Sequence, residues 1–255
     1  MTNTLADPNS DPGTGLPVPD WSRSAVFLDF DGTLAPIAPR PDDVRLRRRE
    51  RALVDRLLDL TEGAVAILTG RDLAVIEAYF EGLPVSLAGS HGAEIAVPGR
   101  STLRPAEDGV LANAFGVLST FATQHELLLE RKAGALALHY RSNPELESKV
   151  LDLVDRLALS DPGRLKPLHG RKVSEITLRG YDKGTALDSL MQYPPFASRN
   201  PVAIGDDTTD EDAFRAAQAR GGLGLRIGAV PSSAQHRFPD RDAFIDWLEA
   251  TTRDT

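Results

Sequence analysis

Two clusters of acidic residues are the part of this sequence most able to do chemistry. The first lies in the segment DFDGT and the second in GDDTTD, and together they comprise Asp29, Asp31, Asp206, Asp207 and Asp210. Each cluster directly follows a short apolar run of the kind found in buried parallel strands. Carboxylates at such strand ends meet at the edge of an open α/β sheet where ligands bind. Because converging carboxylates repel one another, the pattern predicts a cation among them, and oxygen ligands of this kind suit Mg²⁺.

The chemistry that such a site could perform is the hydrolysis of a phosphate ester. A carboxylate can attack phosphorus to form an aspartyl-phosphate, and a second one can protonate the leaving alkoxide and later activate water. Since positions i and i+2 of a strand share a face, Asp29 is the predicted nucleophile and Asp31 the predicted acid/base. Asp206 is predicted to hold the metal, with Asp207 and Asp210 supporting it.

Three further polar residues stand at predicted strand or helix ends. Thr69 follows the apolar run Ala64-Val-Ala-Ile-Leu68 and offers a hydroxyl and a main-chain N–H to a phosphoryl oxygen. Lys183, at the start of a predicted helix, offers a cation to the same group. His91, in GSHGAE, is predicted to face the substrate, because loops at strand ends often carry function. The alternative for His91 is a loop residue that hydrogen bonds to the main chain.

Composition limits the classes of protein to which the chain could belong. It contains no cysteine, so neither disulfides nor thiolate chemistry is available. The net charge of −8 argues against generic binding to nucleic acid or to a membrane surface. No apolar run approaches the roughly 20 residues of a membrane span, and the first residues do not resemble a secretory signal. We therefore expect a cytoplasmic enzyme, with a disordered tail over residues 1–20, which are rich in Pro, Gly and Asp.

The remaining pattern indicates an α/β core that is interrupted by an insert. Apolar strands alternate with helices predicted over 44–60 and 72–80, which is typical of right-handed βαβ units and a Rossmann-like parallel sheet. From about residue 106 the order becomes helix, two strands, helix, two strands, which indicates a compact α+β unit with an antiparallel sheet. The predicted core therefore comprises residues 21–105 and 180–255, and the predicted cap comprises residues 106–179.

Four motifs in this order resemble those of the haloacid dehalogenase (HAD) superfamily of aspartate-nucleophile phosphatases: DFDGT, LTGR, a lysine that begins a helix after the insert, and GDDTTDED. Finer features, namely DFDGTLAPI, GSHGAE, ERK followed by LHYR, and GDDTTDEDAF, look like the trehalose-6-phosphate phosphatases. The resemblance runs from about Trp21 to Leu248. It implies Mg²⁺-dependent hydrolysis of trehalose 6-phosphate to trehalose and phosphate, as well as a functional link to trehalose-6-phosphate synthase.

The resemblance also implies roles for individual residues. The metal would be held by Asp29, the main-chain carbonyl of Asp31 and Asp206, and phosphate by Thr69 and Lys183. A mobile cap would contact the sugar hydroxyls through residues that correspond to Glu130, Lys132, Arg141 and Glu175. One departure concerns GRKVSE, where the register places Arg171, rather than Lys172, in a position that is usually lysine.

Two other functions stay open at this level. Another cap-bearing sugar-phosphate phosphatase would show the same four motifs, because they handle only the phosphoryl group. A non-catalytic subunit of a trehalose-synthesising assembly could keep the fold without the reaction. The intact set of Asp29, Asp31, Lys183 and Asp206 counts against the second alternative.

Overall fold

The computed structural model describes residues 15–104 and 109–253. Contacts divide the chain into two units, which we call the core unit (Met1–Ser101 and Lys183–Thr255) and the insert unit (Thr102–Asp182). The strands and helices, in chain order, are β1 (Ser24–Asp29), α1 (Arg48–Leu60), β2 (Val65–Leu68), α2 (Leu73–Glu77), β3 (Ser86–Gly89), β4 (Glu94–Ala96), α3 (Gly109–Gln124), β5 (Leu128–Lys132), β6 (Ala135–His139), α4 (Glu147–Ser160), β7 (Leu165–Gly170), β8 (Val173–Leu178), α5 (Lys183–Leu190), β9 (Asn200–Gly205), α6 (Glu211–Ala219), β10 (Leu223–Ile227), β11 (His236–Phe238) and α7 (Arg241–Thr251).

The core unit is built on a sheet of order β11-β10-β9-β1-β2-β3-β4 within the described residues. All neighbouring strands run parallel except β3 and β4. Side chains of β1 alternate between two apolar clusters, with Val26 and Leu28 in one and Ala25 and Phe27 in the other. Both faces of this central strand are buried, and its residues 25–28 are accordingly all apolar. The predicted α/β class is confirmed.

The insert unit has the order of elements that the sequence pattern indicates, and its antiparallel sheet runs β5-β6-β8-β7. On one face Leu136, Leu138 and Ile176 join the apolar cluster that α3 and α4 complete. On the other face the partners in register are Glu130, Ala137 and Glu175. The alternation of apolar and polar residues therefore separates a face that packs on helices from a face that carries charge.

The structure differs from the sequence-based expectations in local ways. Strands β4 and β11 were not predicted, because three residues are too few for an alternating pattern to be recognised. Helix α2 ends at Glu77 rather than near residue 80, and just beyond it the rings of Tyr79 and Phe80 pack against Phe30. Within the described parts of the chain, no helix is both long and apolar enough to cross a bilayer.

Most of the predicted tail lies outside the described residues, since the structure begins at residue 15. The last part of that segment is described, and Leu16 belongs to the main apolar cluster of the core unit. Pro19 is also buried. The packed region of the core unit therefore begins before residue 21.

Candidate active site

Three neighbouring strands deliver the acidic and hydroxyl residues to one edge of the core sheet. Strand β1 ends at Asp29, which is in register with Leu68, the residue before Thr69. Strand β9 ends at Gly205, directly before Asp206, and runs parallel to β1. Since parallel strands present their carboxyl ends at the same edge, the three apolar runs suffice to bring these side chains near one another.

A buried lysine joins two of the carboxylates. The Nζ atom of Lys183, the first residue of α5, lies 2.6 Å from Asp29 Oδ1 and 2.6 Å from Asp210 Oδ1. All three side chains are almost entirely buried. Burial alone would lower the pKa of Lys183, but the charges of Asp210 and Asp29 raise it, so the ammonium stays protonated. A protonated lysine here can bind a phosphoryl oxygen beside Asp29, the predicted nucleophile.

The remaining oxygens favour a metal ion. Asp29, Asp206 and Asp210 each offer a carboxylate oxygen, and these atoms lie within 4.8 Å of one another. Among the described residues, Asp29 Oδ2 and Asp206 Oδ1 are buried without a hydrogen-bond partner. Burial and the neighbouring Asp210 and Asp207 raise the pKa of Asp206 to about 6, and burial likewise raises that of Asp29. A divalent cation would satisfy both orphaned oxygens and remove the repulsion, so the residues present fit the predicted metal.

Asp210 and Asp207 differ in what they can contribute. Asp210 accepts from Lys183 through Oδ1 and from the main-chain N–H of Asp207 through Oδ2. Its carboxylate therefore connects the loop after β9 to the ammonium of Lys183. The carboxylate of Asp207 is exposed and accepts from the N–H of Thr208, which caps the following turn. The geometry thus gives Asp210 a direct link to the cluster, whereas the contact of Asp207 is that of a local cap.

Two glycines permit the close approach of these loops. Gly32 has φ +87°, and a Cβ atom there would overlap the carboxylate of Asp206. At Gly205 a Cβ atom would overlap the carboxylate of Asp210. The glycines of DFDGT and GDD therefore leave the volume that the acidic side chains occupy.

Arg71 is a residue of the site to which the sequence analysis assigned no role. Its guanidinium donates to both oxygens of Asp31, with each distance 2.7 Å. The same guanidinium lies 5.4 Å from the ring centroid of Phe30 and 5.7 Å from that of Tyr79. Its position in LTGR, directly after a strand-end Thr-Gly, was the available signal. The predicted acid/base is thus held by a bidentate ion pair with strong directional preference.

The loops after β2 and β3 support Thr69 and His91. Thr69 is buried, and its Oγ1 accepts from the main-chain N–H of Arg71. Ser90 and His91 both have positive φ, at 49° and 56°, a conformation that costs energy for residues other than glycine. This backbone places the His91 ring against Gly70, where a Cβ atom would lie 2.6 Å from the ring. The structure therefore brings His91 to the loop that carries Thr69.

The family of the chain follows from comparison with known proteins. The model of the trehalose-phosphatase family matches residues 27–242, which include every core-unit site residue named above. The chain belongs to the trehalose-phosphatase family. It is therefore an enzyme, a phosphoric monoester hydrolase, and the resemblance to trehalose phosphatases seen in its motifs is confirmed.

Individual relatives agree with this assignment. The trehalose-6-phosphate phosphatase of Escherichia coli (strain K12) is 34% identical over 233 residues, which cover 91% of this chain and 87% of that protein. A bifunctional trehalose-6-phosphate synthase/phosphatase of Thermoproteus tenax is 33% identical over 236 residues, which cover 89% of this chain and 32% of that protein. The solved C-terminal domain of the C. albicans trehalose-6-phosphate phosphatase shares the fold, with a TM-score of 0.78 at 20% identity, covering 91% of this chain and 93% of that one.

In this family member, the insert unit holds the residues predicted to contact sugar. Lys132 Nζ lies 2.8 Å from Glu175 Oε1, and Glu130 Oε2 lies 2.8 Å from His139 Nε2. The hydrogen bond from His139 lowers the pKa of Glu130, so this carboxylate is ionised at neutral pH. Lys132 and Glu175 are mostly buried, and Glu175 Oε2 has no hydrogen-bond partner among the described residues. The charged face of the sheet thus offers paired donors and acceptors.

The other predicted sugar contacts lie at the ends of the sheet. Arg141 and Arg171 are exposed, Arg141 just after β6 and Arg171 in the turn between β7 and β8. Lys172, the alternative to Arg171, lies 3.1 Å from Glu147 through its Nζ, which is also 5.7 Å from the ring centroid of Tyr140. The ammonium of Lys172 is thus directed to the helix side of the unit.

Proposed function

We propose that this enzyme hydrolyses trehalose 6-phosphate to trehalose and phosphate, with Mg²⁺, through an aspartyl-phosphate on Asp29. The observation that carries the proposal is the group of Asp29, Lys183 and Asp206. In this group the carboxylate proposed as the nucleophile adjoins the buried ammonium of Lys183 and the carboxylate of Asp206, whose buried Oδ1 has no hydrogen-bond partner among the described residues. The substrate is supported by the relatives that are named for it. Asp29, the main-chain carbonyl of Asp31 and Asp206 would hold Mg²⁺, which would supply positive charge to the phosphoryl oxygens.

The first half of the reaction forms the phosphoenzyme. An oxygen of Asp29 attacks phosphorus, and the bond from phosphorus to the sugar oxygen breaks with its electron pair going to that oxygen. Asp31 donates the proton that releases the sugar as an alcohol. Lys183 and the hydroxyl and N–H of Thr69 bind phosphoryl oxygens and align them for attack.

The second half returns the enzyme to its starting state. Asp31 removes a proton from water, the water oxygen attacks phosphorus, and the bond to Asp29 breaks to release phosphate. In the structure both oxygens of Asp31 accept from Arg71. Because a proton must be carried on one of those oxygens, part of this ion pair has to open in each cycle.

Substrate choice is proposed to lie in the insert unit. The pairs of Lys132 with Glu175 and of Glu130 with His139 present donors and acceptors that can exchange their mutual bonds for bonds to sugar hydroxyls. Arg171, rather than Lys172, is proposed as a further sugar contact, because the ammonium of Lys172 forms an ion pair with Glu147. Arg141 joins the same set. We further propose a functional link to a synthase that supplies the phosphorylated disaccharide, as in the bifunctional relative.

The decisive experiment measures phosphate release from trehalose 6-phosphate, sucrose 6-phosphate, sorbitol 6-phosphate and an aryl phosphate, each with and without Mg²⁺. We expect trehalose 6-phosphate to have the highest kcat/KM, and chelation of the metal to abolish release from all four. Equal rates on the three sugar phosphates would contradict the substrate assignment. No release from any of them would favour the non-catalytic alternative.

A further inference from the structure

A buried arginine that no step of the reaction uses lies directly behind the loop of Asp206. Arg226, near the end of β10, has only 5% of its side chain exposed. Its Nη2 donates to the main-chain carbonyl of Asp206 at 2.6 Å, and its Nη1 donates to that of Asp207 at 3.1 Å. One guanidinium thus holds two consecutive carbonyls of the loop that carries the metal-binding carboxylate.

The carboxylate that pairs with Arg226 also binds the loop that follows β10. Glu211, the first residue of α6, accepts from Arg226 Nη1 at 2.9 Å. Its carboxylate also accepts from the hydroxyl of Ser232 and from both the N–H and the hydroxyl of Ser233, at 2.6 to 2.8 Å. Arg226 and Glu211 therefore connect the loops that follow β9 and β10.

The energetics suggest that this pair is retained for position rather than for stability. Removing an arginine from water is costly, and a buried ion pair often contributes little net stability. Arg226 Nε is buried and has no hydrogen-bond partner among the described residues, which adds to that cost. What the guanidinium does supply is a rigid fork that can hold several acceptors at once, which a lysine ammonium cannot reproduce.

The carboxylate of Asp206 is confined on its other side. A Cβ atom at Gly32 would overlap it, so the side chain already lies close against that backbone. A shift of the Asp206 main chain would therefore move the carboxylate away from Asp29 or into Gly32. Holding the carbonyl consequently fixes the carboxylate.

We propose that Arg226, together with Glu211, is the positioning unit that sets Asp206 for the divalent cation, and so raises metal affinity without touching the metal. This inference rests on the proposed function in that Asp206 is taken as a metal ligand. Residues that orient metal ligands typically contribute about 10- to 100-fold in metal affinity or activity.

The test measures the affinity of the full chain for Mg²⁺, in the absence of substrate, by isothermal titration calorimetry. Arg226→Lys keeps the charge and loses the fork, so we expect it to weaken Mg²⁺ binding by about 10- to 100-fold. The matched control is Arg199→Lys. Arg199 also donates to two main-chain carbonyls, those of Pro195 and Ser22, and to one carboxylate, that of Glu62. It lies, however, at the amino ends of β1 and β9, opposite the carboxyl ends at which the candidate site is found.

Each outcome separates the inference from the proposed function. If the wild type binds Mg²⁺ and Arg226→Lys binds it as tightly as Arg199→Lys does, the positioning role is wrong while the metal site stands. If the wild type binds no Mg²⁺, the metal-dependent mechanism and the inference both fail. Should Arg226→Lys not fold by circular dichroism, Glu211→Gln decides, since it keeps the shape and weakens the grip on Arg226. A several-fold loss of affinity supports the inference, and wild-type affinity overturns it.

Discussion

At the residue scale, the site is a set of charges that are buried together and balanced only in part. Lys183 neutralises one of the two carboxylates that it contacts, and Asp206 adds a third. Burial and, to a smaller extent, the neighbouring carboxylates raise the pKa values of Asp29 and Asp206. Binding a cation and a phosphate group is the natural use of such an imbalance, because it places compensating charge where water has been removed.

Replacement of Asp29 by Asn should abolish turnover while preserving the fold, because the amide keeps the shape but is a poor nucleophile and a poorer metal ligand. Asp31→Asn should slow release from trehalose 6-phosphate by roughly 10²- to 10⁴-fold, the usual contribution of an acid/base group. With an aryl phosphate, formation of the phosphoenzyme should be slowed much less, since that leaving group needs no proton, whereas its hydrolysis should still be slow because Asp31 activates the water. Release of the aryl alcohol and release of phosphate, measured separately, check this difference. Turnover of Asp29→Asn near the wild-type rate would refute Asp29 as the nucleophile.

Gly32→Ala should remove both activity and Mg²⁺ binding, because the new methyl group would occupy the space of the Asp206 carboxylate. Gly99→Ala is the matched control. Gly99 also has positive φ, at +75°, but nothing lies within 4 Å of a Cβ there, so only the backbone strain is shared. Kinetics and Mg²⁺ titration of the two variants should therefore diverge. Similar losses in both would mean that strain, and not the overlap with Asp206, dominates at Gly32.

At the element scale, the two faces of the insert sheet have different roles. In the insert unit, Leu136 and Leu138 pack on α3 and α4, while Ala135 and Ala137 lie on the opposite face with Lys132 and Glu130 as their partners in register. Small residues at these positions leave room beside the long charged side chains. The same sheet can thus stabilise the unit with one face and recognise a polar ligand with the other.

Lys132→Ala should lower kcat/KM for trehalose 6-phosphate by about 10- to 100-fold and leave an aryl phosphate nearly unaffected, because only the sugar needs this ammonium. The loss corresponds to about 1–3 kcal/mol, the cost of leaving a buried polar partner unpaired. Lys172→Ala is the control, since this lysine also pairs with a glutamate in the same unit. It should change neither rate by more than a few-fold.

Arg171→Ala should resemble Lys132→Ala, and Arg171→Lys should be mild if only a cation is required at that position. Measuring both substrates is essential for these variants. Equal losses on the sugar and aryl phosphates would show that the residues support folding or the metal site instead. A strong effect of Lys172→Ala, with none for Arg171→Ala, would reverse the assignment within GRKVSE.

At the scale of the whole molecule, the core unit joins segments that are far apart in the sequence. Strand β1 lies between β2 and β9, and the latter follows the whole insert. The first described residues also contribute, since Leu16 shares a cluster with Trp21 and Trp247, whose rings pack edge to face. The stability of the core unit therefore depends on both ends of the described chain.

Leu16→Ala should lower the free energy of unfolding by about 2 kcal/mol, toward the low end for a buried leucine because the site lies at the margin of the core. Leu159→Ala is the control, since 72% of that side chain is exposed. It should change stability by no more than about 0.5 kcal/mol. Urea denaturation of both variants checks this prediction. A chain that lacks residues 1–19 should be destabilised in the same way, and a variant as stable as the wild type would show that Leu16 adds nothing.

Much of the candidate site is encoded in short stretches of sequence. The apolar runs before Asp29, Thr69 and Asp206 determine that these residues stand at strand ends, and parallel pairing then places them at one edge. The period of two in β6 and β8 likewise determined which face of the insert sheet is charged. Such features are readable because each depends on residues that are neighbours in the chain.

The tertiary structure alone decided which side chains meet. Lys183 lies between Asp29 and Asp210 although it is 154 and 27 residues away from them, and Arg71 holds Asp31 across 40 residues. In the sequence Arg226 is simply one residue of a β-strand, yet its guanidinium donates to the main-chain carbonyl of Asp206. Local patterns of polarity specify elements and faces, whereas these contacts depend on strand order, register and the exact direction of side chains from separate elements. For that reason the sequence alone placed the candidate ligands at one edge of the sheet, whereas the contacts that Arg71 and Arg226 make with them were decided by the tertiary structure.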